Sequence, residues 1–223
     1  MNLDSAVQRI HEVGIVPVVR ASSADEARGA VDAICAGGIP IIEITMTVPD
    51  AVNIIRQVVR HCGPGVLTGA GTVVTAEQAR MCLDAGAEFL VSPGFSEAVV
   101  ETAAARGKVV IPGALTPTEV MAALGAGASV IKIFPCGSVG GPKYLKSLRA
   151  PFPELRFIPT GGVNISNAAE YIAAGAFALG VGADLVDLAA LRNNQPQKIV
   201  DTARALVEAV RAARASLLSK ASA

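Results

Sequence analysis

The chain reads as an α/β protein, a (β/α)8 TIM barrel preceded by one extra helix. Three observations predict this. Short apolar runs alternate with amphipathic segments from end to end. The runs are continuously apolar rather than alternating, as strands of a parallel sheet covered on both faces must be. The 223 residues hold eight such βα units, close to the usual size of this barrel.

The strands are expected at Ile15 to Val19, Ile39 to Thr45, Val66 to Gly69, Glu88 to Val91, Val109 to Ile111, Ser129 to Phe134, Arg156 to Pro159 and Phe177 to Val181. Ahead of the first lies a helical segment, about Asp4 to Glu12, suited to cover the barrel floor. Helix starts are written as Ser22-Ser23-Ala24-Asp25-Glu26, Thr75-Ala76-Glu77-Gln78 and Thr116-Pro117-Thr118-Glu119. Each offers a capping hydroxyl with an acid or amide in the first turn. Pro117 suits the first helical position. Helix ends recur as Ala36-Gly37-Gly38, Ala85-Gly86-Ala87, Ala126-Gly127-Ala128 and Ala174-Gly175-Ala176, each running straight into the next strand. Glycine there supplies the left-handed cap. Pro196 to Leu218 reads as a long final helix. No linker or low-complexity segment divides the chain, so residues 1–223 are expected to form one domain. An open doubly wound sheet is the competing arrangement.

Composition excludes several functions. Hydrophobic residues are 52% and charged residues 17%, with 19 basic and 19 acidic side chains and no net charge. Without a basic run, neither nucleic acid nor an anionic membrane is an expected partner. Aromatics are 4% and there is no Trp, which leaves little for base stacking. Cys35, Cys62, Cys82 and Cys136 are far apart, and His11 and His61 are the two histidines. That spacing builds no ordinary metal site, so neither a metal nor a cofactor is expected. Reduced thiols, the absence of a signal-like start and the absence of a ~20-residue apolar stretch together predict a cytoplasmic protein.

The chemistry centres on Lys132, set in Val130-Ile131-Lys132-Ile133-Phe134. Lysine is almost never fully buried unless paired. Leaving an ammonium in a dry site is costly, and an amine that sheds its proton is a nucleophile for carbonyl carbon. The bland alternative is a snorkelling side chain packed between helix and strand. Period-2 geometry opposes it: with Ile131 and Ile133 facing the helices, Lys132 faces the interior. Glu43 stands in the same position within Ile41-Ile42-Glu43-Ile44-Thr45. It could be a mere counter-ion for a buried lysine, but pairing and proton transfer are compatible roles.

Catalytic groups of a barrel come from the C-terminal ends of its strands. Arg20 closes the first strand there, Gly69-Ala70-Gly71-Thr72 the third, and Ser92-Pro93-Gly94 the fourth. Pro93, Phe134 and Pro135 are expected to shape the mouth of the site. Thr160-Gly161-Gly162-Val163 after the seventh strand should offer backbone N–H groups and a helix N-terminus to an anion. Gly180-Val181-Gly182 after the eighth is its natural second half.

These motifs resemble the family of 2-keto-3-deoxy-6-phosphogluconate (KDPG) and 4-hydroxy-2-oxoglutarate (KHG) aldolases. The carriers are Gly14-Ile-Val-Pro-Val-Val-Arg20, Ile42-Glu-Ile-Thr45, Gly69-Ala-Gly-Thr72, Glu88-Phe-Leu-Val-Ser-Pro93, Pro112-Gly113 with Thr116-Pro-Thr-Glu119, Ile131-Lys-Ile-Phe-Pro135 and Pro159-Thr-Gly-Gly-Val163. The resemblance implies a homotrimeric, metal-independent class I aldolase of Entner–Doudoroff sugar-acid metabolism. It implies that Lys132 forms an imine with the pyruvate portion of the substrate and Glu43 shuttles protons. Thr72 would hold the carboxylate, and Thr160, Gly161, Gly162 and the Gly182 loop would face a distal phosphate. Two positions depart from the pattern. Thr47 stands where many members have arginine, leaving Arg20 to bind an anion, and Asp184 stands where serine is common beside the phosphate. The alternatives are an aldolase for an unphosphorylated 2-keto acid, a phosphate-binding barrel isomerase or synthase without an imine, and a ligand-binding barrel that has lost turnover.

Overall fold

The computed structural model describes residues 3–221. Its first element is helix α1 (Leu3–Val13), followed by strand β1 (Ile15–Val19), α2 (Ala24–Ala36), β2 (Ile41–Thr45), α3 (Ala51–Cys62), β3 (Leu67–Gly71), α4 (Ala76–Asp84), β4 (Phe89–Val91) and α5 (Glu97–Ala104). The second half runs β5 (Val109–Ile111), β6 (Gly113–Ala114), α6 (Pro117–Gly125), β7 (Val130–Ile133), α7 (Gly141–Arg149), β8 (Arg156–Pro159), α8 (Ala168–Ala173), β9 (Leu179–Val181), α9 (Leu188–Arg192) and α10 (Gln197–Ala221).

The expected start and stop signals operate. Ser23 Oγ accepts from Glu26 N–H, and Thr75 Oγ1 from Gln78 N–H. Thr116 and Glu119 form a reciprocal capping box with Pro117 at the helix start. Removing such a cap costs about 1 kcal/mol. Thr116→Ala should therefore destabilise the protein by about that much in denaturant unfolding. Gly38, Gly86, Gly127 and Gly175 all adopt positive φ between helix and strand. An L side chain is disfavoured there.

All strand pairs are parallel, as the continuous apolar runs require. The closed single barrel is corrected in one respect. The ladders form two sheets, a six-stranded half-barrel in the order β5-β4-β3-β2-β1-β9 and a three-stranded sheet β6-β7-β8. The break falls at Pro112, which has no N–H to continue a ladder. Before it, β5 pairs with β4; after it, β6 pairs with β7. Across that seam Lys132 N–H donates to Pro112 O at 2.9 Å. Across the other, Phe177 N–H donates to Phe157 O at 2.9 Å, and Thr160 bridges Gly180.

The strand isoleucines Ile42, Ile44, Ile131 and Ile133 are fully buried. Each such side chain contributes about 1.5–3 kcal/mol of transfer free energy. That contribution holds in place strands that each carry one buried charged residue, Glu43 or Lys132. Beneath the strands, Arg9 of α1 donates to the carbonyls of Pro40 and Gly65, which lead into β2 and β3. The helix thus sits under the N-terminal ends of these strands, opposite the expected site. Among the described residues, no helix is long and apolar enough to cross a membrane.

Candidate active site

Glu43 on β2 and Lys132 on β7 belong to different sheets, yet both line one small cavity. Its other walls are Val16, Val91, Ile111, Ile158, Thr160 and Gly180, and its volume is about 10 Å³. That is roughly the space of a single water. Lys132 is 5% exposed and Glu43 2%. Two charges with apolar walls on nearly every side is the arrangement expected from their isoleucine-flanked strands.

Burial pushes the Glu43 carboxyl above its ordinary range, while the charges of Lys132 and then Arg20 pull it back. Its Oε1 has no hydrogen-bond partner among the described residues. The Lys132 Nζ lies 5.2 Å from the centroid of the Phe134 ring, within range of a cation–π contact. Cys136, close by in sequence, is buried with its thiol pushed up by desolvation, a poor setting for a nucleophile.

Outside this cavity opens a cleft of about 210 Å³. Arg20, Phe134, Thr160, Gly161, Gly162 and the Gly182–Asp184 loop line it. Thr160 lines both spaces, and the Phe134 ring that lines the cleft lies over the Lys132 amine, so the two spaces are neighbours. The structure thus gathers Arg20, Phe134, Thr160, Gly161, Gly162 and Gly182 around one opening. Thr72 and Pro93 line neither space. Thr72 lies just past β3 with φ at 56°, a strained conformation for a β-branched residue and one that clusters at functional sites.

The glycine loop differs from expectation in one way. Gly161 and Gly162 have φ of 88° and 77°, and no helix follows them directly. Residues 163–167 intervene, and α8 then has only six residues. The loop is braced instead by asparagines: Asn167 Nδ2 donates to Gly162 O at 2.8 Å, and Asn164 N–H donates to Asn167 Oδ1. Among the described residues, the N–H groups of Gly162 and Val163 donate to no protein acceptor. The loop's own amides, rather than a helix end, are what it offers an anion.

Both departures from the resemblance acquire a geometry. Thr45 Oγ1 donates to Val19 O at 3.2 Å and lies 2.7 Å from Thr47 Oγ1. With its proton engaged on Val19, Thr45 accepts from Thr47, so Thr47 is tied back to its own strand end. Arg20 is the cleft's basic residue. Asp184 lines the same cleft, which puts a carboxylate in the loop beside Arg20.

Sequence reasoning passed over the apolar walls Val16, Val91, Ile111 and Ile158. It also passed over the space-making role of the strand glycines. A glycine inside a strand often marks the close approach of another group, and Gly71 and Gly180 carried that signal.

The model of the family described as KDPG and KHG aldolase matches residues 6–202. The chain belongs to the KDPG and KHG aldolase family. It is 39% identical over 166 residues to a 2-dehydro-3-deoxy-phosphogluconate aldolase of Treponema pallidum, covering 74% of this chain and 79% of the relative. It is 40% identical over 172 residues to a probable 2-dehydro-3-deoxy-6-phosphogalactonate aldolase of Rhizobium meliloti, covering 77% and 81%. Among solved structures, KDPG aldolase from Legionella pneumophila with pyruvate captured as a covalent carbinolamine aligns with a TM-score of 0.84 at 30% identity. That alignment covers 90% of this chain and 97% of that one. Members of this family are aldolases, which are lyases.

Proposed function

We propose that this protein is a class I pyruvate aldolase that cleaves KDPG to pyruvate and glyceraldehyde 3-phosphate. One observation carries the reading: an amine and a carboxylic acid, brought from two separate sheets, line the same largely apolar, water-sized cavity.

The amine of Lys132 attacks the C2 ketone of the substrate in its free-base form, giving a carbinolamine that loses water to an imine. The protonated imine draws the electrons of the C3–C4 bond toward nitrogen. Glu43 takes the C4 hydroxyl proton as that bond breaks, and the aldehyde leaves. The resulting enamine takes a proton at C3. Water then attacks the imine carbon, releasing pyruvate and restoring the amine. Burial favours this use of Glu43, because a carboxyl with a raised pKa is suited both to take and to return a proton. Thr72, just past β3, would hold the pyruvate carboxylate, while Phe134 shapes the entrance.

The open cleft would take the phosphate. Arg20, with the N–H groups of Gly162 and Val163, supplies the donors, and Thr160, Gly161 and Gly182 the walls. A charged hydrogen bond contributes about 1.5–3 kcal/mol, roughly 10- to 150-fold in kcat/KM. KDPG should therefore be preferred over its unphosphorylated counterpart by at least that factor. Asp184 supports the second reading, an unphosphorylated 2-keto acid, because its carboxylate repels a phosphate. Equal kcat/KM values for the two acids would favour that reading. A phosphate preference that sharpens in Asp184→Ser would favour the first.

The finer architecture belongs to the same proposal. The two sheets would close as one eight-stranded barrel, with β5 and β6 as halves of one strand, in a single domain. Hydrogen bonds across both seams support it. Exposed Met81 on α4 and Met121 and Leu124 on α6 support self-association, for which a homotrimer is the proposed form. A sedimentation mass other than three times that of the chain would exclude it. The working place would be the cytoplasm, in sugar-acid breakdown of the Entner–Doudoroff kind.

A further inference from the structure

The Glu43 side chain does not stand above its direct strand neighbour. In the β2–β3 register Glu43 pairs with Gly69. Its carboxyl instead leans along the sheet and lies over Gly71, two residues further on and on the same face. A Cβ built on Gly71 would meet Glu43 Oε1 at 1.8 Å, Cδ at 2.5 Å and Cγ at 2.7 Å. Real Cβ atoms essentially never approach a heavy atom within 3.0 Å. Gly71 itself has no left-handed φ, so an alanine would fit its backbone without strain. What glycine provides at this position is space, and the occupant of that space is the carboxyl group.

We infer that Gly71 is a positioning residue for the reaction: its missing side chain is the slot that holds the Glu43 carboxyl in the cavity shared with Lys132. The neighbouring glycines serve different occupants. A Cβ on Gly69 would strike the Phe89 ring at 2.4 Å, and one on Gly180 would strike Thr160 Oγ1 at 2.1 Å. Gly69 thus makes room for a core ring, whereas Gly71 makes room for the proton carrier. Val91 and Ile111 line the same cavity, so a carboxyl pushed off the slot loses space beside apolar walls. The inference rests on the proposed role of Glu43.

The test is a double-variant cycle on the full-length protein, with kcat expressed per Lys132 site titrated by borohydride trapping. Gly71→Ala should lower kcat by roughly 10- to 100-fold, the loss that follows a shift of about 1 Å in a catalytic group, with little change in KM. It should also move the limb of the kcat–pH profile that Glu43 sets, which a purely structural substitution would leave in place. In a Glu43→Ala background the slot is vacant, so adding Gly71→Ala should alter residual kcat by less than about twofold. Multiplicative losses in the double variant, or a fully active Gly71→Ala protein, would overturn the inference. Should Gly71→Ala fail to fold, the double variant decides: it folds if the clash is with Glu43, and its failure to fold would overturn the inference. A fully active Glu43→Gln protein would instead refute the role of Glu43 itself, an outcome distinct from any of these.

Discussion

Lys132→Met is expected to abolish turnover, by about 10⁴- to 10⁶-fold in kcat. Losses of that order follow removal of the nucleophile from a covalent catalyst. Methionine keeps an unbranched stem of similar length, so the apolar walls around it remain packed. The loss should be chemical rather than structural. Removing the ammonium also removes the charge that most holds down the Glu43 carboxyl, so Glu43 should simply stay protonated. A neutral acid in this cavity is far less costly than an orphaned carboxylate, and the variant should fold. A Lys132→Met protein with even a tenth of the wild-type kcat would mean that no imine lies on the reaction path.

Glu43→Gln is expected to lower kcat by ~10²–10⁴-fold, the usual contribution of a positioned acid–base group. Glutamine keeps the shape and removes the titration. Imine formation should be slower but still trappable, because Lys132 remains. The variant also has a stability signature. The folded-state pKa of Glu43 is raised above 4.5, so the folded chain holds this proton over a pH range in which the unfolded chain has lost it. The stability contributed by the group is therefore full below 4.5 and is lost as pH rises through the folded-state value. Glutamine never ionises, so Glu43→Gln should gain in Tm relative to wild type as pH rises. A variant that instead loses stability steadily with rising pH, while its folded fraction stays fully active, would make Glu43 a structural counter-ion.

The readable parts of this fold are those with local causes. Ser23, Thr75 and Thr116 cap helices through bonds to residues three positions away. The glycines that end helices need their positive φ for reasons of backbone sterics alone. Strand β5 lies where its apolar run predicts, but β6 does not announce itself: it is two residues long and follows a proline. Helix α9, five residues capped by Asp187, is likewise too short to show a period. Residues 70–71 continue β3 beyond its predicted end because alanine and glycine carry little strand signal. The split of the strands into two sheets depends on the residues before Pro112 pairing with β4 and those after it with β7, a tertiary circumstance.

The candidate site divides in the same way. Lys132 and Glu43 were legible because a charge amid isoleucines at period 2 must point opposite to its neighbours. The place of Asp184 on the cleft wall and the braced turn after Gly162 were not, because each depends on a loop's path rather than on its composition. The slot at Gly71 was invisible because its occupant arrives from another strand.

The most direct test of the central claim is to treat the wild-type protein with pyruvate and borohydride and read the modified peptide by mass spectrometry. The imine account predicts loss of activity with a reduced pyruvate adduct on Lys132, and no adduct in Lys132→Met. An adduct on Lys143, Lys146 or another lysine, or full activity after treatment, would contradict it.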